Sequence, residues 1–98
     1  MTAFLLSGAE QDMEDAFDYY EARRSGLGHE LIEEFRKGVD RILGHPGAWQ
    51  RLDDVYRRYR LHRFPYGIIY RVDRGTGQVI IAAFMHLSRR PDQWRGRK

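Results

Sequence analysis

Halfway along this 98-residue chain the spacing of the apolar side chains changes from helical to extended, and a chain that keeps the two periods in separate halves is an α+β chain. Met13, Ala16, Phe17 and Tyr20 recur at i, i+3, i+4 and i+7, one stripe of an amphipathic helix, while Asp12, Asp15, Asp18 and Glu21 cover its other faces. Leu31, Ile32, Phe35, Val39, Ile42 and Leu43 form a second stripe, with Glu30, Glu33, Glu34 and Lys37 outward. From Tyr56 the period is two: Tyr59 and Leu61 alternate with Arg58, Arg60 and His62, a strand with one apolar and one basic face.

Local signals set the boundaries. Thr2–Leu6 is a short apolar run that reads as a strand. Ser7 and Glu10 have the spacing of a capping box and start the first helix, which ends near Arg23 and Arg24, cations suited to the negative end of the helix dipole. Gly26 and Gly28 bracket Leu27 in a tight turn between helices. The second helix runs from about His29 to Leu43 and stops at Gly44-His45-Pro46-Gly47. Gly38, unfavourable inside a helix, marks a close approach of a neighbouring backbone. Phe64-Pro65-Tyr66 breaks the first of the later strands, because proline donates no ladder hydrogen bond. Gly67–Asp73 is the next strand, Arg74-Gly75-Thr76-Gly77 a hairpin turn, and Val79–His86 an almost continuously apolar strand suited to the middle of a sheet. The expected order is β-α-α-β-β-β in one domain spanning residues 1–98. A helical hairpin packs on one face of a small antiparallel sheet, a three-stranded meander joined by the first strand. The other face is expected to be open and lined by Arg58, Arg60, His62 and Arg71.

Composition narrows the function classes. The chain has no cysteine, so disulfides and thiolate metal sites are excluded, which suits a reducing cytoplasm. No His/Asp/Glu cluster has metal-ligand spacing and no glycine-rich loop has phosphate-binding order, so neither a metal nor a cofactor is expected. The N-terminal run lacks a basic flank and reads as a strand, not a signal peptide, and no apolar stretch reaches the roughly 20 residues of a membrane helix. The net charge of +3 is unevenly distributed. Residues 1–50 balance at −5, whereas residues 51–98 hold twelve basic residues, eleven of them arginine, against four acidic ones. A concentrated basic half attracts an anionic partner, and the planar arginine fork suits phosphate and carboxylate alike.

The run RLHRFPYGIIYRV followed by VIIAAFMHLSRRPDQW resembles the C-terminal signature of the ParE/RelE superfamily of type II toxins. An arginine-rich strand leads into Phe-Pro-Tyr, a Tyr-Arg-Val strand, an apolar strand ending in His, a short Arg-Arg-Pro stretch and a terminal aromatic. The Asp18-Tyr19-Tyr20 helix, the Gly26–Phe35 turn and His45-Pro46 extend the resemblance over nearly the whole chain. It implies a RelE/ParE-like fold, a cytoplasmic toxin neutralised by an antitoxin in a hetero-oligomer, and a target met by the open sheet face and the tail. ParE-like members stall DNA gyrase on cleaved DNA, whereas RelE-like members cleave mRNA in the ribosomal decoding site.

Cleavage requires an activated 2′-hydroxyl, a stabilised phosphorane and a protonated leaving oxygen. Arg58 and Arg60 fall where RelE-like toxins place two basic strand residues, and Arg89 and Arg90 add charge. The superfamily's phosphate-binding arginine after the tyrosine is here Gly67, and Trp94 stands where a terminal tyrosine would offer a hydroxyl. Guanidinium groups are poor proton shuttles, so His86 is the best acid or base among the catalytic candidates Arg58, Arg60, His86 and Arg89. At the end of an apolar strand, however, His86 reads first as a hydrogen-bonded structural residue. These departures favour a binding module that stalls gyrase, with Arg58, Arg60, His62, Arg71, Arg89, Arg90 and Trp94 as contact residues. The ribosome-dependent endonuclease is the alternative, and a non-toxic partner-binding member a further one. Trp94 has two readings, folding back on the core or anchoring a partner.

Overall fold

The computed structural model describes residues 1–89 and 94–97. The described residues form two helices and five strands: β1 (Ala3–Leu5), α1 (Ser7–Arg23), α2 (Leu27–Gly44), β2 (Gln50–Arg51), β3 (Arg57–Arg60), β4 (Tyr66–Asp73) and β5 (Gln78–His86). The strands make one sheet in the order β1-β5-β4-β3-β2. β2 to β5 are antiparallel neighbours, but β1 runs parallel to β5, so the sheet is mixed and not purely antiparallel. The helical hairpin carries the chain from β1 at one edge to β2 at the other. β2, only two residues long, has no periodic signature in the sequence.

The helix boundaries follow tertiary contacts more than local caps. Ser7 is the first helical residue of α1 and does not cap it; Leu6 holds the capping position and offers no side-chain hydrogen bond. Leu6 is buried and its N–H donates to Ile81 O at 3.0 Å, so the chain leaves β1 still attached to the sheet. α2 begins two residues earlier than its periodicity indicates. Gly26 turns with φ of 91°, and the Glu21 carboxylate, reaching back from α1, accepts the N–H groups of Gly26 and Gly28 at 2.9 Å each. Those backbone donors hold the Glu21 carboxyl below its ordinary pKa. Gly38 marks a close approach, but to side chains: a Cβ built there meets Ile68 Cδ1 and Tyr59 Cε2 at 2.9 Å.

On the helix side, Ala9, Met13, Ala16, Leu31, Phe35 and Ile42 pack on Tyr59, Ile68, Tyr70, Val79, Ile81 and Phe84. The opposite face is not open along its whole length. Ile69, Ile80, Ala82, Ala83 and Met85 form a second apolar cluster with Leu6, closed by the C-terminal Trp94 and flanked by Leu52 and Tyr56. Trp94 is fully buried, its ring 4.2 Å from that of Tyr56. The two clusters divide β5 through a bulge. Ile69 lies opposite Ala83 and Tyr70 opposite Ile81, leaving Ala82 without a partner, so Ala82 and Ala83 both face Trp94.

Trp94→Ala would remove the largest side chain closing the second face. A loss of about 3–5 kcal/mol is expected, a large part of the roughly 5–15 kcal/mol typical of a small domain. Urea unfolding of the two proteins, compared at constant m-value, measures it.

Candidate functional site

The register of β3 against β4 decides where the candidate residues point. Tyr59 lies opposite Ile68 on the helix side, so Arg58 (opposite Ile69) and Arg60 (opposite Gly67) stand on the second face. Arg71 lies opposite Ile80 and shares that face. The sheet therefore brings Arg58, Arg60 and Arg71 together beside the Trp94 cluster. No described carboxylate forms an ion pair with any of the three. A shallow cleft of about 400 Å³ continues the positive surface, with Arg57, Arg71 and Arg74 on its wall beside a single carboxylate, Asp54.

Arg58 is the most constrained of these cations. Its stem crosses the sheet over Gly67, where a Cβ would lie 2.8 Å from Arg58 Cδ. Nη2 donates to Gln50 Oε1 at 3.0 Å, and Nε is closed off from solvent with no acceptor among the described residues. Burial, and secondarily the charge of Arg60, lower the Arg58 pKa.

The remaining candidates lie elsewhere. His86 pairs with Tyr66 at the far end of the sheet, and its ring meets the Tyr66 ring edge-on at 5.3 Å. It borders a cleft of about 360 Å³ between α1 and β5, with Asp12, Tyr20, Tyr66 and Arg89. His86 Nδ1 accepts the Ser88 N–H at 3.1 Å and contacts Ser88 Oγ at 2.8 Å. Because a backbone N–H only donates, the neutral ring carries its proton on Nε2. The sheet thus separates His86 from Arg58 and Arg60. Arg89 is exposed in the turn after β5, and His62 is exposed beyond β3 near Tyr59. Trp94 is buried, which is its packing role and not that of an exposed anchor. Arg90 lies outside the described residues.

The sequence did not reveal the groups that hold the tail. Arg97 donates to Asp12 at 2.7 and 3.3 Å and to Ala82 O at 3.0 Å; Asp12 also accepts the Phe84 N–H at 3.0 Å. Arg95 pairs with Asp53 and covers the Trp94 ring, its guanidinium 4.7 Å from the ring centre. Partners 85 and 42 residues apart leave no local pattern. Asp53 also accepts the N–H groups of Tyr56 and Val55 at 2.7 and 2.8 Å. Those bonds, that of Tyr56 foremost and then Arg95, lower its pKa to about 2.

The family model for the ParE toxin of type II toxin–antitoxin systems matches residues 4–91. Among solved structures the chain is similar to one from the chromosomal ParDE TA system of P. aeruginosa, at 17% sequence identity and a TM-score of 0.75. That match covers 88% of this chain and 95% of the other, a likeness of fold. No curated protein matches the sequence.

The depressed pKa of Asp53 gives the tail a pH dependence. The contribution of the Asp53 carboxylate is complete above about pH 4, its unfolded range, and is lost as the pH falls through its folded value of about 2. Tryptophan fluorescence should therefore report loosening around Trp94 between those values. Asp53→Asn should remove that component and leave a signal flat across the window.

Proposed function

The chain belongs to the ParE family of toxins of type II toxin–antitoxin systems, and on that premise we propose that it arrests growth by engaging DNA gyrase through the basic sheet face, and that a cognate antitoxin neutralises it in a hetero-oligomer. The supporting observation is the division of charge across the sheet. Arg58, Arg60 and Arg71 share one face without carboxylate partners among the described residues, while His86 lies on the other side. A surface of this kind binds an anionic or mixed target strongly, and the sheet holds His86 on the face away from these arginines. Binding without chemistry is the activity these groups serve best. The antitoxin is a protein that shields this face, and both act in the cytoplasm.

Expression of the toxin without its antitoxin should stop DNA synthesis before RNA or protein synthesis and produce filamentous cells. Timed labelling of the three syntheses after induction reads this directly. Protein synthesis stopping first would transfer the activity to the ribosome, and undisturbed growth would mean that the free chain is not toxic.

A further inference from the structure

The helical hairpin and the segments that follow it carry opposite charge. The net −5 of residues 1–50 belongs entirely to α1, α2 and the turn between them, whereas residues 51–98 hold twelve basic residues against four acidic ones. Each part also exposes apolar surface. On the hairpin a groove of about 380 Å³ is lined by Met13, Phe17 and the exposed Ile32, with Glu14 and Asp18 on its rim. Glu10 continues that row one turn earlier on α1. None of these three carboxylates forms an ion pair among the described residues.

A complementary patch lies where β3 starts and β4 ends. Val55, exposed in the turn between β2 and β3, shares a cleft with the exposed Val72 and with Arg57, Arg71 and Arg74. Arg71 and Arg74 have no carboxylate partner among the described residues. Asp54, the carboxylate on this cleft, is paired with Arg51 at 3.4 Å.

We infer that the groove between α1 and α2 is a docking site for a second copy of this chain. The β2–β3 turn of one molecule seats Val55 beside Ile32 and Phe17 of the next, and Arg71 and Arg74 meet Glu14 and Asp18. The contact removes from water two branched apolar side chains that the monomer leaves exposed, Val55 and Ile32. The ion pairs on the rim fix its orientation more than its strength. Groove and turn are different surfaces, so the contact is heterologous: each added molecule offers a further groove or turn, and assembly ends in a ring or continues as a chain. A groove facing a groove would oppose like charges, which disfavours a symmetric dimer through the hairpin. Both patches are small, so the association is weak and reversible. It does not rest on the gyrase reading.

Sedimentation equilibrium of the purified chain tests this. In about 0.01 M salt, where the screening length is about 30 Å, the average mass should rise with concentration; in about 1 M salt, at about 3 Å, it should fall back towards that of the monomer. The double variants Glu14→Arg/Asp18→Arg and Arg71→Glu/Arg74→Glu each reverse one patch on the surface. Each alone should associate about tenfold more weakly or less still. Mixed together they should form a dimer of one molecule of each and nothing larger, because one keeps its turn and the other its groove. Val55→Ser should weaken association and leave its salt dependence unchanged. Circular dichroism establishes that each variant is folded. A wild-type chain that stays monomeric overturns the inference and leaves the two patches to other partners. Folded double variants that associate like the wild type, or fail to pair when mixed, also overturn it. Val55→Ser associating at wild-type strength would do so as well, since the turn would then not enter the groove.

Discussion

Burial of β5 on both faces is the constraint around which the molecule is arranged. Seven successive residues, Val79 to Met85, are removed from solvent, and a strand of that kind requires an apolar cover on each side. The helical hairpin is one cover. The other is Trp94, brought back by a tail whose neighbours are mostly charged. The bulge at Ala82 adapts the strand to these two covers: it turns Ala82 and Ala83 to the same side, where their small side chains leave room for the indole, and returns Phe84 to the helices. The bulge also lies where the pairing of β1 with β5 ends, at Leu5 and Ile81. Beyond it the β5 edge presents Ala82 C=O and Phe84 N–H, which Arg97 and Asp12 satisfy. One ion pair thus closes a sheet edge and fastens the tail to α1.

Most of this frame was legible where one residue's neighbours in sequence are also its neighbours in space. The stripes from Met13 to Tyr20 and from Leu31 to Leu43 gave both helices, the Arg74–Gly77 turn gave the β4–β5 hairpin, and the apolar run gave the central strand. Failures occurred where a distant group takes over a local role. Ser7 has the spacing of a cap, but Leu6 is already tied to Ile81, so the helix starts without it. Glu21 caps the following helix from the preceding one. The parallel pairing of β1 with β5 joins residues 76 apart, and no period within either strand records its direction.

Alternation within a strand located part of the candidate site. It put Arg58 and Arg60 on one face correctly, because one residue between them fixes the relation whatever the register. It could not show that His86 faces away from them. That depends on the bulge at Ala82, which reverses the phase of β5 relative to a simple count from Val79. Nor could it show that Trp94 is buried, since a single aromatic in a basic tail has no periodicity. The glycine at position 67 was readable as a departure from a nuclease pattern. Its positive role, as the floor beneath Arg58, requires the neighbouring strand.

These divisions separate what holds the fold from the charged part of the second face. The tail covers the apolar part of the second face and leaves the arginines of β3 and β4 beside it, without internal ion-pair partners among the described residues. Because β5 and its two covers supply the burial, Arg60 and Arg71 can be exchanged with little effect on the core. A fold organised in this way keeps its architecture while the residues on one face change, which is how members of one superfamily can share a sheet and differ in target. The TM-score of 0.75 at 17% identity fits that behaviour: the fold is alike although most side chains differ. The surface charge of this face is therefore largely independent of the core, with Arg58 the exception, because its stem lies over Gly67 within the sheet itself.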